Sequence, residues 1–228
     1  MGAQTDRRWI ILGVFAVIAV AVVAAVLISR SGGDDSDDAT AAKSAKGCKQ
    51  VAAPEPKNVK LSAPKQTVKK GEKLTAVVQT SCGTFEITLD TIRAPKTSNS
   101  FAYMVEEGLY DDTTIHRIVP EFVIQGGDPL GNGTGGPGYS VVEAPPPSLQ
   151  YTKGIVAMAK SEGEAPGTSG SQFYVVTGAN AELPPEYALL GKVEKGLDVV
   201  ETIDKMAKPN TEEPKQTILI ESITIEHG

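Results

Sequence analysis

The chain has 228 residues, room for one large domain or two small ones, and a formal net charge of −6 from 22 Lys and Arg against 28 Asp and Glu. That mildly acidic balance argues against nucleic acid as the main partner, because phosphate binding needs gathered Lys and Arg. Twenty-three Gly and fifteen Pro point to a loop-rich, mainly β protein and away from a helical bundle.

In chain order, residues 9–28 come first, a nearly unbroken apolar run long enough, as a helix, to cross a bilayer core of ~30 Å. Arg7 and Arg8 precede it; Arg30 and the acidic Asp34, Asp35, Asp37 and Asp38 come after it. The positive-inside rule puts residues 1–8 in the cytoplasm and everything after the run outside, as a single-pass signal-anchor in the cell membrane. The alternative is a form secreted after cleavage, but no clean small-x-small site follows the run. Residues 29–71 read as a disordered or extended linker: acids first, then Ala, Lys and the prolines Pro54, Pro56 and Pro64, with little apolar periodicity. Cys48 in this linker and Cys82 in a predicted turn are the only cysteines. Outside the cytoplasm they could form one disulfide tying linker to domain; two free thiols are the alternative. Two Cys and two His this far apart do not suit a structural zinc site, and neither a metal nor another cofactor is expected.

From residue 72 to 228 the pattern is that of a compact domain. Strands are predicted at 74–79 and 84–89, joined at Ser81, Cys82 and Gly83 as a hairpin. Pro95 opens and Gly108 ends a helix with Phe101, Met104, Val105 and Leu109 on one face. Further strands are predicted at 114–119, 122–125, 154–159, 172–177 and 188–193. A second helix is predicted over 197–206, with Leu197, Val200, Ile203 and Met206 inward, and then a strongly alternating strand over 217–225. Many strands, two helices and no βαβ rhythm indicate an antiparallel sheet closed into a barrel.

The chemistry gathers between Ile115 and Asp128. Arg117 carries a permanent charge and a planar set of donors. Alone it would read as a surface ion pair, but Phe122 and Gln125 come soon after it, and Gly126 and Gly127 let the backbone pass near something bulky. Gly170, Ser171, Gln172, Phe173 and Tyr174 repeat the theme of glycine, amide and aromatic ring. Such a set can grip a polar, uncharged backbone group beside an apolar side chain, and it holds no nucleophile to break a bond. A hydrolase built on Ser171 and His116 would lack a nucleophile elbow and an orienting acid. The glycine-rich residues 131–138 lack the Lys-Ser/Thr of a phosphate loop. The spacing of Asp111 and Asp112 is not that of a calcium loop.

Taken in order, these pieces resemble the cyclophilins, peptidyl-prolyl cis–trans isomerases. The pieces are His116-Arg117-Ile118-Val119-Pro120, Phe122, Gln125-Gly126-Gly127-Asp128, Gly131-Asn132-Gly133-Thr134-Gly135-Gly136, Met158-Ala159, Gly170-Ser171-Gln172-Phe173 and Gly191-Lys192-Val193. The resemblance covers residues 72–226 and implies a mainly β fold: a closed eight-stranded antiparallel barrel capped by two α-helices, here preceded by one transmembrane helix. It implies a monomeric catalytic domain acting on proline-containing polypeptides, with a non-catalytic proline-peptide binding module as the alternative.

The resemblance also assigns roles. Arg117 corresponds to the catalytic arginine, and Gln125 to the glutamine that binds substrate backbone and orients it. Phe122, Val123, Tyr174 and Leu183 correspond to the walls of an apolar proline pocket. Ala159, Lys160 and Gln172 correspond to the rim for residues before proline, and Tyr187 stands where many relatives carry His. His116 reads as a structural residue under the strand. Val123 stands for a common Met and Tyr174 for a Phe. Glu182 falls where cyclosporin-sensitive members carry Trp, so weak cyclosporin binding is expected. Residues 161–169 are slightly longer than the common form.

Overall fold

The computed structural model describes residues 47–228. Within them ten strands and two helices run in the order β1 (Leu74–Thr80), β2 (Gly83–Leu89), α1 (Pro95–Glu106), β3 (Thr113–Val119), β4 (Val123–Asp128), β5 (Val141–Val142), β6 (Ile155–Met158), β7 (Thr168–Ser169), β8 (Phe173–Val176), β9 (Leu189–Lys195), α2 (Leu197–Asp204) and β10 (Leu219–His227). Eight strands close into a barrel in the order β1-β10-β3-β4-β8-β6-β9-β2, each pair antiparallel. The expected eight-stranded barrel with two helices is therefore present. The ribbon of β5 and β7 was not expected, because two-residue strands carry no periodic signal. The apolar run at 9–28 lies outside the described residues; among those described, no helix is long and apolar enough to cross a membrane.

Alternation explains the barrel wall. Leu74, Ala76 and Val78 of β1 and Phe85, Ile87 and Leu89 of β2 are buried at every second position. The β1–β2 turn is fixed by Thr80, whose hydroxyl donates to Gly83 O at 2.7 Å and accepts from Cys82 N at 3.1 Å. Pro95 stands at the start of α1, and the first-turn amides of Lys96 and Thr97, which have no partner within the helix, donate to the distant Glu143 carboxylate at 3.2 and 2.7 Å. The buried face of α1 puts the Phe101 ring 4.9 Å from Tyr110 and edge-on to Phe173 at 5.8 Å. In α2 the buried face is Val199, Val200 and Ile203; Leu197 and Met206, expected inward, are only partly buried against the core.

The linker expectation needs correction for residues 47–71. This stretch has no regular secondary structure, yet it is strapped along the barrel. Cys48 is bonded to Cys82. Lys49 N donates to Ser81 O at 2.7 Å, Lys57 N to Pro129 O at 2.8 Å and Leu61 N to Pro137 O at 2.7 Å. The Lys57 ammonium reaches Asp111 O, and Asn99 Oδ1 accepts from Thr67 N and Val68 N at 2.7 and 2.9 Å. Val59, Leu61 and Val68 pack on the core. Composition missed this because three apolar residues at irregular spacing suffice once the barrel supplies partners for the backbone.

Candidate active site

The same alternation sorts side chains into two apolar clusters. Ile124, Val156, Met158, Phe173 and Val175 belong to the interior core. Val123, Ala157, Tyr174 and Val176, one position along their strands, form a second buried cluster with Tyr151. Neighbours on a strand point to opposite faces. The second cluster therefore lies on the outer face of β4, β6 and β8, with Phe122, Leu183 and Tyr187 packed on it.

Arg117 reaches this face through a bulge. Ile115 pairs with Gly126 and Arg117 with Gln125, so His116 is an extra residue in β3. A bulge shifts the alternation and re-aims the side chains beyond it. Ile115 and Ile118 are both buried in the core, while Arg117 stands out beside Gln125. Glycine is required opposite the bulge: a Cβ on Gly126 would lie 2.7 Å from Ile115 Cδ1 and from Thr114 O.

A polar relay runs away from Arg117. Its Nη1 donates to Gln125 Oε1 at 3.3 Å, Gln125 Nε2 donates to Gln172 Oε1 at 3.0 Å, and Gln172 Nε2 donates to Gly133 O and Gly135 O, each at 3.0 Å. Those two carbonyls belong to the glycine-rich loop, and the buried Asp128 carboxylate fixes that loop by accepting from the amides of Leu130, Asn132 and Gly133 at 2.8, 3.0 and 2.5 Å. Gly135 must be glycine, since a Cβ would fall 2.0 Å from Asp128 Oδ1. Both amide side chains are thus held in one orientation, and Arg117 is fixed by its partners.

The structure brings the residues named from sequence to one place. Arg117, Phe122, Val123, Gln125, Ala159, Lys160, Tyr174, Leu183 and Tyr187 line a single cavity of about 190 Å³. Gln172 lines the adjoining cavity, which shares Gln125, Ala159 and Lys160. The Lys160 side chain is 5% exposed, paired with Glu186 at 3.6 Å and lying 5.6 Å from the Tyr187 ring centre. The Tyr174 hydroxyl is buried without a hydrogen-bond partner, and burial pushes its pKa far up. It stays protonated, so it adds no charge to the cavity wall.

Sequence reasoning missed three supports. Asp128 reads in the sequence only as the end of a motif. Tyr151 accepts from Tyr187 N at 3.0 Å and donates to Tyr187 O at 2.7 Å, which fixes the wall that Tyr187 presents; burial raises its pKa to about 12. Glu212 accepts from Arg117 Nε at 2.5 Å from a loop far along the chain. A lone Tyr and a loop Glu give no local signal of such roles.

His116, the bulge residue, carries a pH prediction. Both ring nitrogens are buried without a hydrogen-bond partner. Burial holds its pKa below the ordinary value, outweighing the pull of the nearby Asp128 carboxylate. Unfolding frees the imidazole to take a proton, so the His116 contribution is full above an unfolded pKa of about 6.5 and is lost as pH falls below it. Urea midpoints at pH 7.5 and 5 should therefore differ less in His116→Gln than in the wild type. An unchanged difference would remove His116 from the account.

Comparison with known proteins agrees with this fold. The family model described as cyclophilin type peptidyl-prolyl cis-trans isomerase/CLD matches residues 75–225. The chain is 38% identical over 174 residues to peptidyl-prolyl cis-trans isomerase B of Streptomyces anulatus, covering 68% of this chain and 98% of that protein. It is 36% identical over 169 residues to peptidyl-prolyl cis-trans isomerase A of Mycobacterium tuberculosis, covering 66% and 91%. A solved cyclophilin-type isomerase of Cryptosporidium parvum superposes with a TM-score of 0.64 at 29% identity, over 68% of this chain and 99% of that one. The same protein solved in the presence of the dipeptide Ala-Pro gives 0.62 at 30% identity, with the same coverage. The chain therefore belongs to the cyclophilin family, and it is a peptidyl-prolyl cis-trans isomerase.

Proposed function

We propose that the domain turns X–Pro bonds in exported or cell-envelope proteins, with Arg117 as the electrostatic catalyst and the cavity beside it as the proline site. One observation carries the reading. A guanidinium fixed through two of its nitrogens borders a cavity of about 190 Å³ in which Phe122, Val123, Leu183 and the rings of Tyr174 and Tyr187 face the polar Arg117, Gln125 and Lys160, room for a prolyl ring beside its backbone.

The barrier to X–Pro rotation, ~18–20 kcal/mol, comes from partial double-bond character of the C–N bond. Lowering it needs no nucleophile. Phe122, Val123, Tyr174, Leu183 and Tyr187 hold the ring. Gln125, itself fixed by Gln172, takes a substrate backbone group. As the amide twists, its nitrogen regains a lone pair, and an Arg117 N–H aimed there stabilises the twisted state more than either planar one. Proline-containing peptides are the ligands we assign, in keeping with the Ala-Pro dipeptide used with the Cryptosporidium parvum relative. Glu182 supplies no large apolar contact at the rim, which supports weak cyclosporin binding.

Two features support a site of action outside the cytoplasm. One is the apolar run at 9–28 with Arg7 and Arg8 before it. The other is the Cys48–Cys82 disulfide, which suits an oxidising compartment. Protease added to intact cells should remove the domain and its isomerase activity together. A protected, active domain would reverse the orientation.

A further inference from the structure

We propose that Glu212 is a positioning residue for Arg117, fixing the guanidinium on a different edge from Gln125. This rests on Arg117 being the catalytic group. Gln125 accepts from Nη1 at 3.3 Å and Glu212 from Nε at 2.5 Å. Two acceptors on two nitrogens define the plane of the group, and Nη2 is engaged by neither.

Glu212 is well placed to act as a fixed strut. Ile118 N, one residue beyond Arg117, donates to Glu212 O at 2.7 Å, so the backbone of Glu212 is bonded to β3 itself. The rest of its loop is closed on both sides: Lys208 N donates to Glu213 O at 2.8 Å, Lys215 N donates to Met206 O at 2.7 Å, and Ala207 bridges Pro214. Farther on, Gln216 Nε2 donates to Cys48 O at 3.4 Å and Lys49 O at 3.2 Å, which ties the loop to the disulfide-bonded strap. The Arg117 side chain is 33% exposed and that of Glu212 61%. An ion pair this open adds little to stability, so what it contributes is orientation. The hydrogen bond from Arg117, helped by its charge, lowers the Glu212 pKa, so the carboxylate remains charged at neutral pH.

The experiment compares Glu212→Ala, Glu212→Gln, Arg117→Ala and the double variant of Arg117→Ala with Glu212→Ala, in the full chain, by cis-to-trans conversion of an X–Pro peptide. Glu212→Ala should lower kcat about ten-fold with KM little changed, short of the ~10²-fold that a 1 Å misplacement can cost because Gln125 still holds Nη1. Glu212→Gln keeps an acceptor oxygen and should recover most of kcat. In the Arg117→Ala background, Glu212→Ala should cost nothing further, which a merely structural role would not give. Wild-type kcat in Glu212→Ala, or a loss that simply adds to that of Arg117→Ala, overturns the proposal. If Arg117→Ala itself keeps wild-type turnover, the catalytic reading falls and Glu212 with it. If Arg117→Ala is slow and Glu212→Ala is not, only the role of Glu212 falls.

Discussion

Replacing Arg117 by Ala should lower kcat/KM for an X–Pro peptide about 10²–10³-fold, the usual loss when one preorganised donor is taken from a transition state. The cost falls on the chemical step because the planar substrate does not need this donor. Cis and trans prolyl amides both delocalise their nitrogen lone pair, and only the twisted state offers it to an N–H. KM should therefore move far less than kcat. Stability should change by only about 0–1 kcal/mol, since the side chain is partly exposed and its ion pair lies at the surface. Arg117→Lys should fall between. It keeps the charge but loses the planar set of donors that lets Gln125 and Glu212 hold two edges while another reaches substrate. Single-turnover exchange measured by NMR on a Pro peptide separates the two constants. Full activity in Arg117→Ala would mean that the cavity and backbone contacts alone turn the bond.

The barrel was readable from sequence because its signal is local. Within β1 and within β2 burial alternates at every second residue, and the inward and outward faces of β4 and β8 obey the same rule. The grouping of the candidate side chains was readable for a different reason. Arg117, Phe122 and Gln125 stand within nine residues, and the β3–β4 hairpin brings them together without help from the rest of the fold. What could not be read is what arrives from a distance. Glu143 reaches the first turn of α1, Tyr151 pins Tyr187, and Glu212 meets Arg117, each across more than thirty residues of chain. The bulge at His116 was equally hidden. Nothing in the residue pattern marks it, yet it decides which face Arg117 takes. The strap at 47–71 shows the same limit: its amides bond to carbonyls of Ser81, Pro129 and Pro137 that exist as partners only after the barrel closes.

The strap gives the second large expectation. Replacing Cys48 and Cys82 together by Ser should lower stability by about 3–4 kcal/mol, the chain-entropy value for a closed loop spanning a separation of 34 residues. Against a usual total of ~5–15 kcal/mol this is a large fraction, and it should lower the melting temperature on the order of 10 °C. Reduction should act alike, since the chain has no other cysteine. The loss should also be local before it is global. Freed at Cys48, the strap keeps its anchor at Asn99, where two amides and the Thr67 hydroxyl bond one carbonyl oxygen. Hydrogen exchange should therefore speed up at Lys49, Lys57 and Leu61 while Thr67 and Val68 remain protected. Lys57 and Leu61 bond the two ends of the glycine-rich loop at Pro129 and Pro137, and that loop receives Gln172 and, through it, Gln125. Slower turnover should accompany the faster exchange. An unchanged melting temperature in the double variant would show that packing of Val59, Leu61 and Val68 holds the strap without the bridge.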